Sequence, residues 1–113
     1  MKEKKDFLGE FEEFVLLAIL KQPENAYGVT IRQTIEESGR PTSYGAIYTT
    51  LDRLEKKGYV SSQWGEATAE RGGRAKRYYK VERAGMKALN ATEAARANLR
   101  FGYLGTSPVG DTT

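Results

Sequence analysis

Apolar residues recur along the first quarter of the chain with the period of a helix. Phe11, Phe14, Val15, Ala18 and Ile19 fall at i, i+3, i+4, i+7 and i+8, which predicts an amphipathic helix from about Leu8 to Gln22 with Pro23 helping to end it. Leu16, Leu17 and Leu20 make that helix apolar on nearly every side, so it is expected at the centre of the core or shared with a second subunit. A second helix follows, with Asn25 as its N-cap and Tyr27, Ile31 and Ile35 repeating every four residues, until Ser38-Gly39-Arg40-Pro41 breaks it. Thr42 or Ser43 then caps a third helix, about Ser43 to Lys57, which Gly58 stops in the left-handed conformation. From Tyr59 the period changes to two. Val60, Ser62 and Trp64 face one way and Ser61 and Gln63 the other, a second extended segment runs from Ala75 to Val81, and "EATAERGGR" turns between them. A fourth helix from about Glu82 carries Met86 and Leu89, an Ala-rich stretch, then Leu99 and Phe101, and the Gly, Pro, Ser and Thr content of the remaining tail predicts disorder.

Three helices, a hairpin and a further helix give the element order of a winged helix-turn-helix, mainly α with a small β-hairpin. The division is 8–81 for that domain, 82–104 for a C-terminal dimerisation helix and 105–113 for a disordered tail. The Ala stripe of the last helix lets another helix come close, and Phe11, Leu16, Met86, Leu89, Ala95 and Leu99 are the expected homodimer contacts.

The third helix raises the functional question. At 100° per residue Tyr44, Ile47, Leu51, Leu54 and Gly58 share one face, and Gly45, Thr49, Arg53 and Lys56 lie opposite. Charge is missing from the first turns of that outer face. Gly45 and Ala46 allow close approach, while Ser43, Thr49 and Thr50 offer hydroxyls to bases or phosphates and Tyr48 flanks both faces, as the N-terminal half of a recognition helix requires. Taken alone, these residues are better read as a capped helix with neutral surface threonines, since helix caps are far commoner than recognition helices.

Charge changes the picture. The chain has 113 residues and a formal net charge of +3, and the excess is concentrated between residues 59 and 83. In "RGGRAKRYYKVER", Arg71, Arg74, Lys76, Arg77, Lys80 and Arg83 oppose one acid, Glu82. A basic hairpin beside a slim helix offers two elements to one groove of a polyanion, so double-stranded DNA is the expected partner. Arg71, Arg74, Lys76 and Arg77 supply cations from the wing, with Arg53 and Lys56 on the DNA backbone from the far end of the helix. Trp64, in an alternating strand, reads as half-buried packing. The rival reading is an adaptor that docks a partner protein through the same faces.

There is no Cys and no His, which removes thiolates, disulfides, imidazole bases and the commonest transition-metal ligands. No enzyme chemistry, metal or cofactor is expected. The longest apolar run, Phe14 to Leu20, is far below a membrane span, and the charged N-terminus does not look like a signal peptide, so a cytoplasmic protein is expected.

The segment "GAIYTTLDRLEKKGYV" resembles the G-x-x-Y-x-x-L-x-R-L-E-x-x-G-h-h signature (h apolar) of PadR-like transcriptional regulators, at Gly45, Tyr48, Leu51, Arg53, Leu54, Glu55, Gly58, Tyr59 and Val60. "LGEFEEFVLLAIL" and "AYGVTIRQTI" are similar to the family's first two helices and "GGRAKRYYKV" to its wing, so the likeness runs from about Leu8 to Leu89. It implies a homodimeric repressor on a palindromic operator, gripping DNA with the recognition helix and wing and exchanging a C-terminal helix between subunits. Thr49 stands where family members often have Pro, and Glu82 where they usually have Thr, a good cap for the last helix. The resemblance leaves a small-molecule effector open: the aromatic that lines the ligand pocket of some small members has no Trp counterpart in the last helix.

Overall fold

A computed structural model describes residues 7–65 and 75–106, the side chains of 102–106 excepted. The elements follow the expected order: α1 (Glu10–Lys21), α2 (Gly28–Glu37), α3 (Tyr44–Lys56), β1 (Val60–Trp64), β2 (Arg77–Val81) and α4 (Arg83–Thr106). Val15, Leu16 and Ile19 of α1 pack with Ile31 and Ile35 of α2 and with Ile47, Leu51 and Leu54 of α3, and Tyr59, Val60, Tyr79 and Leu89 close the cluster. Each helix delivers its apolar stripe to one point, which fixes the helical trio beneath the hairpin.

The helix ends depart from expectation in one place. Asn25 does not cap α2; Tyr27 does, and its N–H donates to Thr30 Oγ1 (3.0 Å) while Thr30 Oγ1 donates to the Asn25 carbonyl (2.5 Å). Asn25 spends its own N–H on Gln22 (2.9 Å), so it belongs to the turn after α1. At α3 the choice between Thr42 and Ser43 falls to Ser43, whose Oγ accepts from Ala46 N–H (3.1 Å). Gly58 ends α3 at φ +80, where an L side chain would be strained, and Tyr59 N–H closes back on the Leu54 carbonyl (2.9 Å).

β1 and β2 pair antiparallel with Val60 opposite Val81, Ser62 opposite Tyr79 and Trp64 opposite Arg77. Tyr79 N–H donates to the Ala26 carbonyl (2.9 Å), tying the hairpin to the loop before α2. Glu82, which stands in place of a stronger cap, accepts from Ser61 Oγ (2.5 Å) and braces the start of α4 against β1.

α4 is roughly 36 Å long at 1.5 Å per residue, and only its first half lies on the body. Thr92 Oγ1 accepts the buried N–H of Leu8 (3.0 Å) and donates to the Ala88 carbonyl (2.9 Å), and Arg96 pairs with Glu13 of α1. Past that point the helix leaves the body, with Leu99 and Phe101 each 77% exposed.

Two expected dimer residues are therefore reassigned. Leu16 and Leu89 are 0% and 2% exposed because the protomer's own helices cover them. Phe11 is half-buried beneath the Arg40 guanidinium (4.6 Å), and Met86 and Ala95 are half-buried. Among the described residues, the apolar side chains left exposed near α1 and on α4 are Phe7, Leu17, Leu20, Leu99 and Phe101, of which the expected set contained Leu99 alone.

Candidate nucleic-acid interface

The outer face of α3 presents Tyr44, Gly45, Ala46, Tyr48, Thr49, Asp52, Arg53 and Lys56 to solvent, with the cap Ser43 exposed at its start. Thr50 is a correction: it is 5% exposed, because a residue three after Ile47 and four before Leu54 lies at the edge of the buried stripe. It has no face to offer a base. Tyr44, which the periodicity placed on the buried face, is half exposed, stacked on Tyr48 (centroids 6.4 Å) and covered by the Arg32 guanidinium (4.4 Å).

Tyr48 explains how closely α2 and α3 approach. Its hydroxyl lies over Gly28 so tightly that a Cβ there would be 1.9 Å from the oxygen. Only glycine at the first turn of α2 leaves Tyr48 in this position. The far half of α3 carries more charge but commits most of it: Lys56 pairs with Asp52 (3.1 Å), Lys57 with Glu12 (3.1 Å), and Glu55 with Arg77 (3.0 Å). Among the described residues no carboxylate pairs with Arg53.

Between Tyr48, the start of α2 and the hairpin runs an open groove of about 420 Å³ lined by Tyr27, Val29, Tyr48, Trp64, Ala75, Lys76, Arg77 and Tyr79. Lys76 Nζ lies 5.3 Å from the Tyr27 ring and Arg77 5.7 Å from the Trp64 ring, so cations rim an aromatic floor. Trp64 corrects the packing expectation. It is 64% exposed at the last pair of the strand ladder, where the Arg77 guanidinium covers its ring instead of core side chains. Tyr27, expected only as part of the apolar repeat of the second helix, is half-buried at the α2 N-cap and joins the groove, and Trp64 was missed as a surface residue because a period-two pattern assigns a side of the hairpin without saying what lies beneath it. Arg71 and Arg74 fall within residues 66–74, outside the described residues.

Burial pushes the Tyr79 hydroxyl above its ordinary pKa, against the opposing pull of Arg77, so that hydroxyl is neutral at physiological pH. Among the described residues no group of His, Cys, Asp or Glu is arranged to hold a metal ion, and no helix is long and apolar enough to cross a membrane.

An exposed, slim helix beside a two-stranded wing defines a winged helix-turn-helix protein. The family model described as "Transcriptional regulator PadR-like family" matches residues 16–91, and the chain belongs to that family, a family of regulators and not of enzymes. A PadR-like transcription factor from Bacteroides fragilis is 28% identical with a TM-score of 0.71, over 86% of this chain and 89% of that one. A PadR family transcription regulator from Clostridium difficile R20291 is 19% identical at TM-score 0.72, over 87% and 97%. Bacillus subtilis PadR, solved in complex with operator DNA, is 17% identical at TM-score 0.60, over 72% of this chain and 45% of that one. No curated protein matches the chain.

Proposed function

We propose that this regulator is a repressor that binds a palindromic DNA operator as a homodimer, reading bases with the N-terminal half of α3 and gripping phosphates with the wing. The observation that carries the reading is the uncharged, low-profile face of Ser43, Gly45, Ala46 and Thr49, exposed beside a groove whose rim holds Lys76 and Arg77. Side chains this short let the helix backbone itself come close to base edges. Arg53 and, from the sequence joining β1 to β2, Arg71 and Arg74 add counterion release, and Tyr44 and Tyr48 reach the flanking backbone. The operator complex of Bacillus subtilis PadR supports the same use of the fold here. The uncovered Leu17, Leu20, Leu99 and Phe101 support self-association, because apolar side chains of that size on one protomer gain by meeting a second copy.

Selection of bound duplexes from a random pool, followed by fluorescence anisotropy across salt, tests the reading. The expected result is a dyad-symmetric site with half-sites about one helical turn apart, roughly ten base pairs, and an affinity that falls with salt. Light scattering is expected to give twice the chain mass for the wild type and a monomer for Leu99→Asp combined with Phe101→Asp. Salt-insensitive or absent duplex binding at low ionic strength would exclude DNA as the partner and favour a protein ligand on the same face.

A further inference from the structure

The last turn of α3 meets the hairpin through a closed ring of hydrogen bonds. Ser62 Oγ donates to one carboxylate oxygen of Glu55 (2.8 Å), Arg77 Nη2 donates to the other (3.0 Å), and Arg77 Nε donates back to Ser62 Oγ (2.9 Å). The hydroxyl is both donor and acceptor, and both carboxylate oxygens are engaged. The guanidinium is also held 5.7 Å from the ring centres of Trp64 and Tyr79, so its orientation is set from both sides. One residue comes from each of α3, β1 and β2.

We infer that Glu55, Ser62 and Arg77 form a clamp that fixes the angle between the hairpin and α3, which makes Glu55 and Ser62 specificity-determining positioning residues for duplex recognition. The inference rests on the DNA reading above.

Two physical points carry it. First, β1 leaves α3 through Gly58 at φ +80; Val60 and Tyr79 are buried and Tyr79 N–H is tied to Ala26, so the core holds the hairpin on the α1–α2 side. Ser62 and Arg77 tie the hairpin to α3, and attachments to both neighbours define an angle. Discrimination depends on that angle. The wing's cations and the reading half of α3 must fit phosphates and base edges at once, and a hinged wing would find phosphates on any sequence.

Second, a carboxylate on a face that meets a polyanion opposes binding. The pair is half-exposed, with side chains 42% and 32% accessible, where ion pairs contribute little to stability. Glu55 halves the useful charge of the groove rim, since its partner is one of the two cations there. A group that weakens non-specific attraction while holding geometry favours discrimination over affinity. Arg77 is thereby reassigned from phosphate contact to positioning residue.

The test compares the full chain with Ser62→Ala, Ser62→Thr, Glu55→Gln and the double variant Glu55→Gln/Arg77→Gln, using anisotropy on the selected duplex and on a random duplex from low to high salt. Ser62→Ala changes no charge. It is expected to lower the ratio of selected to random affinity about fivefold with the salt slope intact, and Ser62→Thr, which keeps the hydroxyl, is expected to restore it. Glu55→Gln frees a cation: random-duplex affinity is expected to rise about five- to tenfold near 0.1 M salt, with the slope steeper by about 0.9 per protomer. The double variant has the wild-type net charge, so its slope is expected to return while its discrimination does not. Wild-type discrimination in both Ser62→Ala and the double variant overturns the clamp. A double-variant slope about 0.9 shallower than wild type overturns it too, since Arg77 would then be a phosphate ligand. Failure of the wild type to bind any duplex would instead overturn the DNA reading, and the inference with it.

Discussion

Replacing Gly28 by Ala separates the two things Tyr48 does. An added Cβ would lie 1.9 Å from the Tyr48 hydroxyl and 2.5 Å from its Cζ, so the ring must retreat by about 1.5 Å to reach ordinary contact. Either α2 shifts or Tyr48 swings. α2 is held by the fully buried Ile31 and by Ile35, and the loop before it by the Tyr79 N–H bond to Ala26, whereas Tyr48 is half exposed and restrained chiefly by its stack on Tyr44. Tyr48 therefore moves, at the loss of an aromatic contact of about 1 kcal/mol. Against that, alanine in a helix stabilises by up to about 1 kcal/mol relative to glycine, less in the first turn. The net effect on stability is expected to stay within about 1 kcal/mol, a shift of only a few degrees in Tm for a domain of this size. Duplex affinity is expected to fall about three- to tenfold, because the displaced ring now stands proud of the reading face; a tenfold loss corresponds to 1.4 kcal/mol. The control is Tyr48→Ala, in which the clash has no partner. On that background Gly28→Ala should be neutral or stabilising, so a double-mutant cycle from denaturant melts should give a coupling of about 1–2 kcal/mol. Equal effects of Gly28→Ala on both backgrounds, or a loss above about 3 kcal/mol in the wild type, would refute the account by showing that the helices and not the ring absorb the clash.

Two further outcomes follow from burial. Thr50→Val is expected to leave the preferred DNA site unchanged in a selection experiment, whereas Thr49→Ala, one position away but fully on the outer face, is expected to alter it. For Tyr79, a folded-state pKa raised by burial means that its contribution to stability is complete below the unfolded value near 10 and is lost as pH rises above it, since the unfolded chain ionises first. Tyr79→Phe should therefore melt much like the wild type at pH 8 but lose less stability between pH 9 and 11, measured by denaturant midpoints; parallel curves would contradict the assignment.

The elements were legible because each carries its own period. Ile47, Leu51 and Leu54 announce α3, Gly58 its end, and the switch at Tyr59 the hairpin, and all are local facts. What the sequence left open depends on neighbours far along the chain. Thr50 has a surface composition and a buried environment, because Ile47 and Leu54 roll that edge of the helix inward. Trp64 has a core composition and an exposed environment, because at the end of the strand ladder only the Arg77 guanidinium covers it. Leu16 and Leu89 look like surplus apolar surface until α4 is seen folding back over α1. Asn25 loses the cap of α2 to Tyr27 because Thr30, three residues on, satisfies the Tyr27 N–H from within the helix. Tertiary contact decides each of these.

Charge shows the same dependence with a sharper functional consequence. Counted along the chain, the far end of α3 and the return strand look like one basic surface, with Arg53, Lys56, Lys57, Lys76, Arg77 and Lys80 within reach of a polyanion. The fold divides them. Lys57 is turned inward to Glu12, Lys56 is matched by Asp52, and Arg77 is closed into a ring with Glu55 and Ser62. Arg53, Lys76 and Lys80 are left with no carboxylate paired to them among the described residues, and of these Lys76 lines the groove. The neutralised helix end and the uncharged helix start then serve one purpose. A reading face that drew its affinity from its own cations would bind every sequence well, since phosphates are everywhere the same. On the proposed reading, leaving α3 nearly neutral and pinning the wing to it through Glu55 would make binding depend on whether the bases in front of Gly45, Ala46 and Thr49 fit.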